Sequence, residues 1–216
     1  MGADGCGILA VWNNCASGQE AVYEAWYREE HLPERVGVPG FRYGRRYEST
    51  GAGPRYFTYY ETDSPAVLTS PAYVARLQAP TARTTAIMSG VFIDMTRTVC
   101  RRTAARGSLR GGFVVAVRFA DAADPAALAQ AVQAAVEAGA LRAEAWVADE
   151  PPARTISAEE AIRGADKKIT ACLLVEAGYE AEAARIAAAL ARQFGGRAEI
   201  GSYRFLCSLA QAEMTA

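Results

Sequence analysis

The sequence predicts an α+β fold made of two ferredoxin-like βαββαβ halves in one chain, residues 1–109 and 110–216. Three observations lead to it. Segments with strand and helix character follow one another in the order β-α-β-β-α-β, and the same order then starts again. A βαββαβ unit covers only one face of its sheet with helices, so each half leaves a face to be buried against the other. The chain has 216 residues, 51% hydrophobic and 22% charged, an ordinary globular composition with enough length for a substantial core. Two sheets closing into a barrel-like core, with four main helices outside, satisfy all three. Residue identity between the halves is poor, so the repeat lies in element order.

In the first half, Gly7 to Trp12 is an apolar strand that leaves through Asn13 and Asn14. Gln19 to Glu30 is rich in helix formers, with Val22, Ala25 and Trp26 as its apolar stripe. Pro33 disfavours helical geometry at Leu32, which predicts a helix end near Glu30 or His31. Phe41 to Ser49 and Arg55 to Thr62 read as a hairpin around Gly51, Gly53 and Pro54. Ser64-Pro65 and Ser70-Pro71 each set a capping serine before a first-turn proline, predicting a broken helix over 65–79. Val91 to Cys100 is the fourth strand.

The second half opens with the strand Phe113 to Phe119. Asp124-Pro125 then starts an alanine-rich helix striped by Leu128, Val132, Ala135 and Val136. Strands follow at Ala140 to Val147 and Ile169 to Val175. Glu180 to Phe194 is a helix with Ile186, Leu190 and Phe194 on one face, stopped by Gly195-Gly196, and Ile200 to Leu209 closes the series. Asp149 to Asp166 interrupts this order. Its Ser157 and Glu160 fit a capping box, so it reads as a surface insertion or a short helical flap over a site.

The formal net charge is −1, which gives no global field for nucleic acid or acidic membranes. Arg101, Arg102, Arg106 and Arg110 form the one basic cluster and read as a solvated linker. Five widely spaced cysteines, Cys6, Cys15, Cys100, Cys172 and Cys207, contain no C-x-x-C pair and give no zinc or thioredoxin pattern. No charged start precedes an apolar stretch at Met1 to Gly7, and no apolar run reaches the roughly 20 residues of a membrane span. A cytoplasmic protein without nucleic-acid or membrane partners is expected; a homo-oligomer stays open.

Functional residue types concentrate around the one histidine. Trp26 to Glu34 reads W-Y-x-x-E-H-L-P-E, and Val38 to Tyr47 reads V-P-G-F-x-x-x-R-R-Y. Following a strand that ends in tryptophan, these strings resemble EthD-like members of the dimeric α+β barrel superfamily over about residues 12–48. The resemblance implies a pseudo-dimeric α+β barrel in one chain. It also implies a ligand pocket between the sheet and helices of the first half, bordered by Tyr27 to His31 and by the Phe41 to Tyr47 and Tyr56 to Tyr60 strands. Superfamily members include lactone isomerases, polyketide cyclases and dehydratases, cofactor-free monooxygenases and haem proteins. The second half carries Glu137-Ala138-Gly139 where E-H-L-P would stand, so one site per chain is expected, with residues 110–216 mainly structural.

Imidazole changes charge near neutral pH and is the commonest general acid or base. Glu29, Glu30, Glu34 and a helix C-terminus around His31 favour its protonated form, suited to polarising a carbonyl or anchoring an anion. Glu30 is then the base or the residue that orients the ring, and Tyr27 assists. On an ideal wheel centred on Val22, however, His31 points away from the buried face. Trp12, Tyr43, Arg46 and Tyr59 are the candidate substrate contacts, although Arg46 lies on the strand face opposite Tyr43 and Tyr47. The leading expectation is cofactor-free isomerisation, cyclisation or dehydration of a small aromatic, lactone or polyketide-like compound by His31, Glu30 and Tyr27. A non-enzymatic ligand-binding or interaction protein is the alternative, and haem ligation by His31 a further one. The enzyme reading expects a cavity of roughly 300 Å³ with His31 in its wall.

Overall fold

A computed structural model describes residues 5–149 and 156–214. Eight strands close into one antiparallel barrel: β1 Gly7–Cys15, β2 Phe41–Ser49, β3 Tyr56–Thr62, β4 Phe92–Arg106, β5 Phe113–Phe119, β6 Arg142–Ala148, β7 Ala171–Ala177 and β8 Glu199–Ala210. Around the barrel the order is β1-β3-β2-β8-β5-β7-β6-β4. The first four strands thus run β4-β1-β3-β2 and the last four β8-β5-β7-β6, the same arrangement twice. The β2–β8 and β4–β6 ladders join the two sets.

Alternation along each strand sorts side chains into three cores. Ile8, Ala10, Trp12, Tyr47, Phe57, Tyr59, Trp146 and Leu174 fill the barrel interior, so the barrel is packed and not a channel. Leu9, Val11, Tyr56 and Tyr60 point outward from the first sheet, under the helices of residues 20–88. Val115, Val117, Leu173 and Val175 do the same beneath α5 Pro125–Glu137 and α7 Glu180–Phe194. Among the described residues, no helix is long and apolar enough to cross a membrane.

The structure corrects the first helix. It does not stop at His31 but runs from α1 Glu20–Trp26 through a π-helical turn, Tyr27–His31, into α2 Leu32–Val36. The Leu32 N–H reaches back to the Tyr27 carbonyl, five residues away. That wider turn accommodates Pro33, whose ring would otherwise meet the carbonyl of the preceding turn. The apolar stripe differs too: Val22 is 50% exposed, whereas Tyr23, Trp26 and Tyr27 are buried. The larger aromatic faces outcompete valine for the core.

The segment after β3 breaks as expected, into a 3₁₀ turn Pro65–Thr69 and α3 Pro71–Gln78, whose start Ser70 caps by accepting from the Tyr73 N–H. Thr81 caps a further helix, α4 Ala82–Met88, in the same way. The basic cluster is solvated only in part: Arg101 and Arg106 are exposed, whereas Arg102 and Arg110 are engaged at the barrel end. β4 continues to Arg106, which carries Arg102 into the barrel end against Glu61, 2.6 Å away. Arg110 pairs with Glu176 at 2.6 Å. Carboxylates on β3, β6 and β7 supply the countercharges that burial of these arginines requires. Of the 149–166 insertion, residues 150–155 lie outside the described residues; the remainder contains α6 Ala158–Arg163, which packs against α3 and α4.

Candidate active site

The π turn decides where His31 points. Five residues along an ordinary helix would set His31 about 140° around the axis from Trp26. The extra residue brings the two rings back onto one face, with centroids 4.3 Å apart, and Tyr27 meets the imidazole edge-on at 5.0 Å. His31 keeps 8% of its surface and lines a crevice of about 20 Å³, room for roughly one water and far short of the roughly 300 Å³ that the enzyme reading expects. Tyr27, Arg35, Tyr60, Tyr73, Glu159 and Arg163 share that wall, with Leu9, Val11, Met88 and Phe92 as its apolar part.

The electrostatics reverse the sequence expectation of a protonated imidazole. Burial, and then the positive charges of Arg35, Arg163 and Arg46, hold the His31 pKa well below its ordinary value. The glutamates assumed to favour the cation are engaged elsewhere. Glu30 accepts hydrogen bonds from Thr81 and Thr84 at 2.5 and 2.7 Å, Glu34 pairs with Arg76 and Glu29 with Arg83. Those carboxylates fasten α3 and α4 to the motif helix. Glu30 is absent from the crevice wall, so the structure separates the base assigned to it from the histidine it was to serve.

Among the described residues, two buried polar atoms in this wall have no hydrogen-bond partner, His31 Nδ1 and Arg35 Nη1. Arg35 is 2% exposed and gives its other terminal nitrogen, Nη2, to the buried carboxylate of Glu159 on α6. Tyr27 and Tyr60 share a hydrogen bond at 3.1 Å. Burial raises both phenol pKa values, so both hydroxyls stay protonated and able to donate. Arg97 donates to the Tyr73 hydroxyl at 2.9 Å, and Arg163 makes a bidentate pair with Asp166. Beside the crevice lies an outer cleft of about 340 Å³; Met88, Phe92, Met95 and Arg163 line both.

Of the residues expected from sequence, the structure brings Tyr27 and His31 together. Arg46 sits behind them, fully buried, paired with Glu24 and with its guanidinium 4.1 Å from the Tyr27 ring centroid. Trp12, Tyr43 and Tyr59 are on the other side of the sheet. Trp12 stacks on Phe57 at 4.7 Å, and Tyr43 donates to Glu61 at 2.6 Å in the barrel end. Tyr60 lies on a strand expected to border the pocket, whereas Arg35, Glu159 and Arg163 were not foreseen. Arg35 follows His31 by one helical turn, a spacing hidden by ending the helix at Pro33, and Glu159 and Arg163 show the same spacing on α6.

No family model and no curated protein matches this chain. Solved structures do. An anthrone oxidase-like protein aligns over 100% of this chain and 98% of its own, at 8% identity and a TM-score of 0.60. A candidate monooxygenase from Fusobacterium nucleatum covers 95% of each chain at 10% identity and a TM-score of 0.57. A candidate chlorite dismutase covers 94% of this chain and 96% of its own at 12% identity and a TM-score of 0.51. These neighbours are dimeric α+β barrels, and this chain shares their fold.

Proposed function

We propose that this chain is a small-molecule enzyme working by proton transfer, with neutral His31 as general base and Arg35 as the cation that holds the resulting anion. One observation carries the reading. His31 Nδ1 and Arg35 Nη1 are both buried and unpartnered in one wall. A buried polar atom without a partner costs on the order of 1–3 kcal/mol, and of the nine such side-chain atoms among the described residues these two share one crevice wall. A neutral imidazole offers a lone pair to an acidic C–H or O–H. A guanidinium then stabilises the negative charge left behind, and low local dielectric strengthens that interaction. The Tyr27 hydroxyl, in a hydrogen bond with that of Tyr60, stands beside them as a further donor to the anion. The substrate class is a small aromatic, lactone or polyketide-like compound with an acidic proton, and the reaction an isomerisation, cyclisation or dehydration without a cofactor. The doubled strand order supports reading residues 1–109 and 110–216 as two fused ferredoxin-like units, the first EthD-like and bearing the site.

Haem ligated by His31 is the cofactor alternative, and the residues near His31 do not fit it. Trp26 stacks against the imidazole at 4.3 Å and the adjoining space is about 20 Å³, far below a porphyrin. That same small volume favours one second reading, a protein that binds its ligand without turning it over. Catalysis needs the crevice to open into the outer cleft. Screening wild type and His31→Ala against enolisable aromatic ketones and lactones separates the two readings. The enzyme reading expects turnover in wild type and its loss in His31→Ala with an unchanged circular dichroism spectrum. Ligand-induced quenching of tryptophan fluorescence without turnover of any compound would establish the second reading instead.

A further inference from the structure

The Glu159 carboxylate is an unusual neighbour for a proposed anion-holding arginine. It comes from α6, in the insertion between β6 and β7, and reaches across to residues of the first half. Both partners are buried, at 2% and 3% exposure, yet among the described residues Arg35 Nη1 has nothing to donate to. A guanidinium presents a planar fork that matches a carboxylate through two parallel hydrogen bonds. Glu159 uses one prong of that fork, and Arg35 is part of the crevice wall.

α6 is a short, separately capped element. It is six residues long, is capped by Ser157, and ends at Gly164, whose φ of +90° suits glycine alone. Ile162 packs on the edge of the first core, and the Ala158 N–H reaches Gln78 at 2.9 Å. Arg163, on the same helix, lines both the crevice and the outer cleft, so α6 forms part of the partition between them. Tilting it outward would join the two spaces and return the Glu159 carboxylate to water. The exchange is like for like at Arg35, one carboxylate for another, and it frees Glu159 to be solvated.

We infer that Glu159 occupies the substrate's anion position in a closed state, and that the site takes small organic acids with a flat apolar body. Their carboxylate displaces Glu159 from Arg35 and opens α6. This inference rests on the proposed role of Arg35 but asks only for binding. The apolar body lies against Met88, Phe92 and Met95, which line both spaces. No covalent step is involved; the ligand exchange conserves charge at Arg35.

Benzoate and its neutral isostere benzamide are the probes, with tryptophan fluorescence and calorimetry on the full chain as readouts. Benzoate is expected to bind wild type weakly, Glu159→Gln at least tenfold more tightly, and Glu159→Gln/Arg35→Met not measurably. Benzamide affinity should be the same in wild type and Glu159→Gln. Benzoate should also speed amide hydrogen exchange over residues 158–163. A change in benzoate affinity of less than twofold in Glu159→Gln, or an equal gain for benzamide, overturns the inference. So does slowed exchange over α6 with bound benzoate. Thermal melts identify a variant that fails to fold; hydrogen exchange in the wild type decides the question without any variant. Benzoate binding without turnover of any substrate would refute the acid–base function and leave this inference standing. Turnover of neutral ketones with no benzoate binding would do the reverse.

Discussion

The two outer faces of this barrel solve one packing problem with different chemistry. Over the second sheet, α5 and α7 cover Val115, Val117, Leu173 and Val175 with Leu128, Ala131, Val132, Ala183 and Leu190. Over the first, Tyr23, Trp26, Tyr27 and Tyr73 meet Tyr56 and Tyr60, and polar tips and arginines sit among the rings. Aliphatic side chains fill space without asking for partners, so the second face packs without a buried hydrogen-bond network of its own. Tyrosine brings a large apolar body and one hydroxyl that needs a partner, so an aromatic face carries a hydrogen-bond network wherever it goes. Volume does not distinguish them, since the second face has its own recess of about 360 Å³ beside Phe119, Leu128 and Phe194. What marks the first face is buried groups left unpartnered.

The sharpest way to break this contrast is at His31. With catalysis confined to the first face, His31→Ala should lower kcat/KM by about 100- to 10,000-fold, the usual contribution of a positioned base. The melting temperature should change little. The mirror experiment is Leu173→Ala, deep in the second core and fully buried. It should cost about 2–5 kcal/mol through lost contacts and a residual cavity. That corresponds to a fall in melting temperature on the order of 10 °C for a chain of this size. kcat/KM below the melting range should hold. If Leu173→Ala abolished turnover while folded, the second face would not be merely structural.

A third test reads the charge state of His31 through stability. Its folded pKa lies well below the ordinary value because of burial and neighbouring arginines, so the native state resists taking up the proton. The unfolded chain takes it up near pH 6.5. Stability from this group is therefore complete above pH 6.5 and is lost as pH falls from there towards the depressed folded pKa. The slope should approach about 1.4 kcal/mol per pH unit between pH 6 and 5. His31→Gln should flatten it. Glu30, Glu61 and Glu144, whose folded pKa values are lowered, add their own loss of stability at lower pH, through the carboxylate range. An unchanged slope in His31→Gln would mean that the imidazole is charged in the native state, contrary to its use as a base.

The fold was legible because strand alternation and turn residues are local signals. Phe113–Phe119 and the Ser70 and Asp124 caps stand where the sequence puts them. The site was legible only to the extent that it is local. Tyr27 and His31 lie within five residues of one another. Arg35 was hidden because Pro33 normally ends a helix, and a π turn is an exception that tertiary packing selects. Glu159 was hidden for a different reason. It stands 124 positions from its partner, inside an insertion whose local signal is a capping box and nothing more. Trp12, Tyr43 and Tyr59 were misplaced by strand parity: aromatic residues alternate on both faces of β1 to β3, and sequence alone does not say which face is the interior.

The smallest effect expected is also the one that tells a scaffold from a site within the first face. Tyr27→Phe removes one hydroxyl and keeps the ring that packs against Tyr23, Trp26 and His31. The Tyr60 hydroxyl, 3.1 Å away, loses its partner in a buried setting, which should cost about 1 kcal/mol of stability. If that pair only ties the π turn to β3, kcat/KM stays at the wild-type value once the melt is allowed for. Donation by Tyr27 to the substrate anion predicts a further fall of about tenfold in kcat with KM unchanged, the loss of one hydrogen bond made in the transition state. Tyr60→Phe supplies the control, because it breaks the same pair and leaves the Tyr27 hydroxyl in place. Equal kinetic losses in both variants would assign the pair to architecture. A loss confined to Tyr27→Phe would place the phenol beside His31 and Arg35 in the chemistry.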